Sequence, residues 1–177
     1  GSLRSLLLYS PKNITDVAMH SLARLTNLIE LKFIQGWGGN GAGGFRITDA
    51  GMTALGKMTQ LESLDLGGTS VTDSGMAQLT GLKNLEKLRL PSTRNPRTGE
   101  PLITDVSLGY ISELPHLRTI FAGSGSFTDS GLRNIARLGR LERLVINSAS
   151  KTDTTDVGIG YLTVLPRLQM LNLTWEG

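Results

Sequence analysis

The sequence contains no cysteine, few aromatic residues and little net charge. The absence of cysteine excludes disulfides, thiol catalysis and any metal site built from thiolates. No apolar run approaches the roughly 18 residues that cross a membrane as a helix. The formal net charge of +3 comes from basic residues interspersed with acidic ones, whereas nucleic-acid-binding proteins cluster Lys and Arg with aromatics. We therefore expect no membrane insertion and no nucleic-acid partner, while secreted, cell-surface and cytoplasmic locations all remain open.

A repeated spacing of leucine is the main feature that the sequence does contain. Residues 61–84 show the unit: the pattern Leu-x-x-Leu-x-Leu, a Val-Thr-Asp segment, and apolar residues at intervals of three. Self-similarity at a period of 20 to 50 residues is typical of solenoid proteins. We expect one domain over residues 1–177, in which the repeats begin near the following leucines: Leu3, Leu28, Leu61, Leu85, Leu117, Leu141 and Leu168.

Each half of the unit predicts one structural element. Leu64 and Leu66 are two residues apart, so they point to the same face of an extended strand. Met76, Leu79 and Leu82 follow the Thr-Asp pair at the spacing of a short helix. The predicted fold is therefore α/β, a curved right-handed ladder with about seven parallel strands on its concave face and six short helices on its convex face.

The Thr-Asp pair that precedes the apolar residues of the predicted helix occurs in six repeats and indicates a resemblance to a known family. The pairs lie at residues 15–16, 48–49, 72–73, 104–105, 128–129 and 155–156. With the flanking pattern Ile/Val-Thr-Asp-x-Gly-Leu/Met, residues 3–173 resemble the leucine-rich repeats of bacterial and F-box-associated proteins, in a variant without cysteine. The Asn that many such repeats place after the strand is here Thr69, Thr93 or Gly125. The resemblance implies a recognition module, with the substrate receptor of an F-box-like ubiquitin ligase as one alternative.

The aspartates of these pairs invite interpretation as a row of catalytic or metal-binding carboxylates. A structural role explains their repetition better, because each pair stands at a predicted helix start, where one member can cap backbone N–H groups and the helix dipole favours the carboxylate. A small residue also follows two positions after each aspartate, as at Gly51, Gly75 and Ser107. We expect close approach of the helix to the sheet at these positions. The sequence predicts no catalytic residue, metal site or cofactor.

Three repeats contain extra residues between the strand and the Thr-Asp pair. These insertions lie at residues 35–46, 91–103 and 147–155, in the second, fourth and sixth repeats. Because alternate repeats contain them, we expect them along one rim, about 10 Å apart at two strand spacings each. Insertions in solenoids often form part of the binding face.

Two insertions contain patterns that suggest other ligands. Residues 39–44 match Gly-x-Gly-x-x-Gly, but residues 45–47 separate them from the predicted helix, so we expect a surface loop with an exposed Trp37 instead of a dinucleotide site. Asp153 and Asp156 lack the spacing of a calcium-binding EF-hand loop. The insertion of the fourth repeat contains three prolines and is predicted to be a stiff projection. The candidate contact residues in the insertions are Trp37, Arg94 and Arg97.

The residues between the strand leucines do not repeat, and we predict that they form a binding surface. On a ladder of this kind they point to the concave side, where Tyr9, Ile34, Phe121 and Val145 are expected as exposed apolar residues. The candidate contacts on this face are Tyr9, Lys32, Ile34, Asp65, Arg89, Phe121, Arg143, Val145 and Asn172. A protein or peptide ligand is predicted, and a glycan or other small polar ligand is the alternative. An enzyme would need a converging set of nucleophile, base or metal ligands, which we do not find.

The first and last strands lack recognisable caps. Leu3 at one end and Leu171 at the other are expected beside open strand edges, which favour pairing with another chain. We expect either that the native chain extends beyond these residues or that two copies pack end to end. Partial shielding of the C-terminal edge by Trp175 is the alternative.

Overall fold

The computed structural model of the chain describes residues 2–9, 13–34, 45–148 and 154–175. Seven strands pair in chain order into one parallel sheet. Each strand contains the alternating apolar positions of its repeat. The strands are β1 (Ser5–Tyr9), β2 (Glu30–Ile34), β3 (Ser63–Asp65), β4 (Lys87–Arg89), β5 (Thr119–Gly125), β6 (Arg143–Ser148) and β7 (Met170–Trp175).

Six helices alternate with the strands, and each begins at the aspartate of a Thr-Asp pair. They are α1 (Asp16–Leu22), α2 (Asp49–Leu55), α3 (Asp73–Met76), α4 (Asp105–Ile111), α5 (Asp129–Ile135) and α6 (Asp156–Leu162). A 3₁₀ helix, Ala77–Gly81, continues α3. The spacing of three between Met76, Leu79 and Leu82 fits the 3.0-residue turn of that helix. None of the described helices is long and apolar enough to cross a bilayer.

The predicted architecture of seven parallel strands and six helices is confirmed. Its core lies between the sheet and the helices, as a continuous cluster that extends from Met19 to Leu165. Leu64 of β3 and Leu79 of the following 3₁₀ helix are both about fully buried in it. Phe33 and Phe45 pack edge to face, with their ring centroids 5.1 Å apart. Because the apolar layer is shared between neighbours, each repeat depends on the next for burial.

The parallel register aligns the intervening strand residues into columns on the face opposite the helices, the concave face. The central column consists of Leu7, Lys32, Asp65, Arg89, Phe121, Val145 and Asn172. The preceding column consists of Ser5, Glu30, Ser63, Lys87, Thr119, Arg143 and Met170. Both alignments follow from the leucine spacing, because a single period of apolar residues sets every strand in the same register.

On the convex face, the aspartate of one repeat binds the threonine of the next. Asp49 accepts hydrogen bonds from the Thr72 backbone N–H at 2.7 Å and from the Thr72 hydroxyl at 2.6 Å. Thr72 in turn accepts from the Ser74 N–H and caps its own helix. Capping by one member of the pair was predicted, and the threonine hydroxyl caps α2 to α6, whereas Thr15 makes no such bond at α1. The inter-repeat contact was not foreseen. These contacts, here named the Asp–Thr ladder, join Asp16 to Thr48, Asp49 to Thr72, Asp73 to Thr104, Asp105 to Thr128 and Asp129 to Thr155.

The ladder also explains the small residue two positions after each aspartate, and the explanation given from the sequence was wrong. A Cβ on Gly131 would lie 2.2 Å from Asp105 Oδ1, closer than any other obstacle. A small residue is required because the carboxylate of the preceding repeat occupies the space next to it, and not because the helix lies close to the sheet. Ser107 is tolerated because its hydroxyl donates to Asp73 Oδ1.

Threonine replaces the Asn that many leucine-rich repeats place after the strand. Thr69 is fully buried, and its hydroxyl donates to the Leu66 carbonyl at 2.8 Å. The Thr93 hydroxyl donates to the Thr69 carbonyl at 2.6 Å and so links two repeats. At these two repeats a short hydroxyl side chain therefore satisfies a carbonyl near the point where the strand turns toward the convex side.

The insertion of the fourth repeat folds into a small hairpin. Arg94 and Pro101 face each other across an antiparallel bridge, and the Asn95 N–H donates to the Glu100 carbonyl at 2.8 Å. The Asn95 side chain also accepts from the Arg97 N–H at 2.9 Å. This internal bonding gives a physical basis for the predicted stiffness.

The other two insertions follow β2 and β6, whose carboxyl ends lie at the same edge of the parallel sheet as that of β4. Residues 35–44 and 149–153 lie outside the described residues, and so does the candidate contact Trp37. The hairpin of the fourth repeat follows the carboxyl end of β4, and the placement of the other two insertions on the same rim stays a prediction.

Candidate binding surface

The centre of the concave face is a shallow depression of about 210 Å³. Strands β2 to β5 supply its walls, since their aligned columns bring residues from four repeats together. It is lined by Lys32, Ser63, Leu64, Asp65, Lys87, Leu88, Arg89, Thr119 and Phe121. Three of these side chains are cationic and one is acidic. We call this site the central depression.

An acidic and a basic side chain from adjacent strands form its floor. Asp65 Oδ1 accepts from the Gly67 N–H at 2.8 Å, and Asp65 Oδ2 lies 3.8 Å from Arg89 Nη1. The side chain of Asp65 is 16% exposed and that of Arg89 is 55% exposed. Burial raises the pKa of Asp65, against the opposing effects of the Gly67 N–H, Arg89 and Lys32. The guanidinium of Arg89 is therefore the more accessible partner of the pair.

Gly67 keeps this pair in place. A Cβ at residue 67 would lie 2.9 Å from Arg89 Nε and 3.0 Å from Asp65 Oδ1. A larger residue would push the guanidinium away from the carboxylate, so glycine here allows Arg89 to lie across the neighbouring repeat.

Other concave cations differ in whether a carboxylate neutralises them. Lys32 Nζ lies 2.6 Å from Glu30 Oε1, and this contact is the main cause that lowers the pKa of Glu30, with the Ser5 hydroxyl next. Arg118 Nη1 lies 2.6 Å from Glu142 Oε1. Within the described part of the chain, Lys87 and Arg143 form no ion pair. The positive charge that is available to a partner is thus concentrated on β4 and β6.

Most of the predicted contact residues are accessible, but they do not form one patch. Arg89, Phe121, Arg143 and Asn172 are exposed and lie within the two columns on β4 to β7. Tyr9 is 67% exposed, yet it lies on β1, about 19 Å from β5 at four strand spacings. Arg94 and Arg97 are exposed on the hairpin. Lys32 and Asp65 are half-buried and line the central depression.

The expectation that Ile34 and Val145 are exposed was wrong, because both are half-buried. Each has register partners with side chains on the neighbouring strands: Ile34 lies beside Tyr9, and Val145 lies between Phe121 and Asn172. The spacing along the sequence correctly predicted that both residues lie on the concave face, but it could not predict how far side chains of neighbouring strands cover them.

Lys87 is the one charged residue in the lining of the central depression that was not among the predicted contacts. It stands two residues before Arg89, at the same position of the repeat as Arg143, which was included. Because it shares this position with Arg143, Lys87 could have been predicted as a contact residue from the sequence.

The site offers hydrogen-bonding, charged and apolar contacts to a ligand. Among the residues that the structure describes, no group of three or more His, Asp or Glu side chains is placed to hold a metal ion. His20 belongs to α1 on the convex side, whereas His116 lies in the turn that leads into β5. Tyr9 and Phe121 are too far apart to line one aromatic groove of the kind that holds a glycan. The arrangement is suited to recognition of another molecule.

The parallel ladder with helices on one side and open columns on the other is the fold of a leucine-rich-repeat solenoid. It is similar to internalin C2 from Listeria monocytogenes at 21% identity and a TM-score of 0.65, over 98% of this chain and 71% of that one. It is also similar to a leucine-rich-repeat protein from Leptospira interrogans at 19% identity and a TM-score of 0.57, over 96% of this chain and 37% of that one. No protein-family model and no curated protein matches the sequence. At these identities the likeness is one of fold.

Proposed function

We propose that this chain is a recognition module that binds a protein or peptide on its concave face, centred on the central depression. The supporting observation is a contrast within each strand. Inward positions are aliphatic with few exceptions, whereas the central column contains Leu, Lys, Asp, Arg, Phe, Val and Asn in turn. Variation of residue type where folding does not require it is what a specific binding surface needs.

The dimensions and chemistry of the face also support this proposal. Seven strands at about 4.8 Å spacing give a sheet about 29 Å wide, the length of roughly nine residues of extended peptide. Arg89 and Phe121 belong to residue types that often contribute strongly to binding when they become buried. The hairpin residues Arg94 and Arg97, together with Trp37, would extend the contact along the rim.

We further infer that residues 1–177 act as one domain, because the buried residues from Met19 to Leu165 form one cluster. A ligand that spans several strands would then meet a surface whose parts keep their relative positions.

Site-specific crosslinking tests the proposed face. A photo-reactive amino acid is placed at Phe121 on the concave face or, as a control, at the exposed Val106 on convex helix α4. In extracts of the organism that encodes the chain, we expect capture of a discrete protein from position 121 and not from position 106. Arg89→Glu in the same chain should abolish the capture. Capture from position 106 alone would place the contact on the convex face and contradict the proposal.

A further inference from the structure

The accessible positive charge of the concave face surrounds one aromatic ring. Phe121 of β5 is 39% exposed and lies between Arg89 of β4 and Val145 of β6 in the central column. In the preceding column, Thr119 lies between Lys87 and Arg143. An apolar centre is therefore flanked by cations on both sides.

The acidic residues next to this cluster lie toward the amino-terminal edge of the sheet, where Glu62 and Glu86 line a second depression together with Lys87 and Arg118 pairs with both Glu86 and Glu142. Lys32 is matched by Glu30 and Arg118 by Glu142, at 2.6 Å in both cases. Asp65 is the one carboxylate in the central depression, and it lies on the floor beside Arg89. The surface that remains is complementary to a ligand with negative charge on both sides of an apolar group.

The spacing of the cluster suits an extended peptide that crosses the strands. Lys87 and Arg143 are two strand spacings apart, about 10 Å between their Cα atoms. In an extended chain, residues i, i+2 and i+4 point to one side, and i to i+4 spans about 13 Å. The flexible stems of Lys and Arg can bridge the difference of about 3 Å.

We propose, building on the function proposed above, that the partner is an acidic peptide segment in which an apolar residue is flanked by carboxylates two positions away on each side. The apolar side chain packs on Phe121. One carboxylate pairs with Lys87 and Arg89 on β4, and the other pairs with Arg143 on β6.

A nucleic-acid strand would have the same sign of charge, but this surface is less suited to it. A strand with one phosphate per nucleotide needs a continuous row of cations, whereas Asp65 interrupts the central column between Lys32 and Arg89. Binding of single-stranded nucleic acid also relies on several aromatic rings for base stacking, whereas Phe121 is the single aromatic residue in the lining of the central depression.

A peptide-display selection provides the test. A random 12-residue library is selected on the immobilised whole chain and, in parallel, on the double variant Lys87→Glu/Arg143→Glu. We expect the whole chain to enrich peptides with an acidic–x–apolar–x–acidic pattern. The most enriched peptide, made synthetically, should bind the double variant at least about tenfold more weakly, because each reversed cation now repels its carboxylate. Its affinity should also fall as salt is raised.

A matched control separates local contact from overall charge. Arg137→Glu/Arg140→Glu makes the same charge change on exposed residues in the turns between α5 and β6. This variant should bind the peptide within about twofold of the original chain. Equal loss in both double variants would overturn the proposed contacts, as would enrichment of peptides without an acidic excess or no enrichment at all. Tighter binding of a 12-nucleotide single-stranded DNA than of the peptide would overturn it in favour of nucleic acid.

One more variant distinguishes the failure of this inference from the failure of the proposed function. If neutral or basic peptides are selected and lose binding on Phe121→Ser, the acidic specificity is wrong and the concave site stands. If the selected peptides bind Phe121→Ser and the double variant unchanged, both proposals are wrong.

Discussion

The convex Asp–Thr ladder and the concave columns occupy opposite sides of the same repeats and follow opposite rules. Along the ladder, each aspartate from Asp16 to Asp129 accepts the N–H of the next threonine at 2.7 to 3.0 Å. Along the central column, no residue type occurs twice. Residue identity is therefore uniform where a bond joins neighbouring repeats and varied where the side chain faces solvent. The difference teaches that stability and recognition can be altered separately in this molecule.

The largest expected effect lies in the core that both faces share. Leu79→Ala should lower the free energy of unfolding by about 2–5 kcal/mol, because it opens a cavity between repeats that are packed closely. Leu79 is 1% exposed. Chemical denaturation measures the change, and Arg97→Ala on the exposed hairpin is the control, with a change below about 0.5 kcal/mol. Equal shifts of the two midpoints would contradict the assignment of core and rim.

The ladder can be disrupted without removing any of its polar atoms. Gly131→Ala should destabilise the fold by about 1–3 kcal/mol, because the added methyl group would overlap Asp105 Oδ1 and Leu108. Gly139→Ala is a matched control, since an added Cβ there meets nothing within 4 Å. Thermal or urea unfolding of the two variants gives the comparison. A Gly131→Ala protein as stable as the Gly139→Ala protein would show that the carboxylate moves aside at no cost.

Removing the charge from the ladder tests its hydrogen bonds directly. Asp105→Asn should cost about 1–3 kcal/mol, since the carboxylate accepts from both the N–H and the hydroxyl of Thr128. Asp156 occupies the same position at the start of α6, and within the described ranges no residue donates to it. Asp156→Asn therefore removes the charge at a helix start alone and should cost less. If urea unfolding shows the same loss of stability in both variants, the aspartates stabilise the fold through the helix dipole and not through the bonds to threonine.

The order of strands and helices could be predicted from the sequence, because every apolar position recurs with one period. Once Leu64 and Leu66 are assigned to the inner face, the register of Asp65 with Lys32 and Arg89 follows from the spacing. Contacts between repeats are different, because they depend on distances perpendicular to the chain. Thus Asp49 was expected to act at its own helix start, and its bond to Thr72 appeared only in the structure.

As with the fold, part of the candidate site could be predicted from the sequence and part could not. The face and most of its residues could be named, since alternation along a strand determines which side chains point outward. The shielding of a residue by side chains on neighbouring strands could not be predicted, so Ile34 and Val145 were expected to be exposed. The pairing of Lys32 with Glu30 also depends on side-chain rotamers, and it decides which cations remain available to a partner.

Two aspartates on the opposite faces should respond to pH with opposite sign. The Thr155 N–H and hydroxyl lower the pKa of Asp129, so its stabilisation is present above the ordinary aspartate value of about 3.9 and is lost as the pH falls below it. Burial raises the pKa of Asp65, so ionisation there opposes folding at neutral pH, and this cost disappears as the pH falls toward about 3.9.

Urea unfolding between pH 3 and 7 measures both effects. Asp129→Asn should be less stable than the original chain at pH 7, with a difference that shrinks below about pH 3.9. Asp65→Asn should gain stability at pH 7 and lose that gain as the pH falls. Differences of the same sign for the two variants would contradict the opposite environments of these carboxylates.

The smallest effect on stability should accompany a large effect on binding. Arg143→Ser removes an exposed side chain whose described polar contact is with Met170 Sδ at 3.4 Å, so unfolding should shift by less than about 0.5 kcal/mol. Arg140→Ser, in the exposed turn before β6, should shift it as little. In the crosslinking experiment from position 121, however, Arg143→Ser should reduce capture of the partner and Arg140→Ser should not. If Arg143→Ser lowered both the stability and the capture, Arg143 would contribute to folding. The assignment of stability to the convex face and of binding to the concave face would then be wrong for this residue.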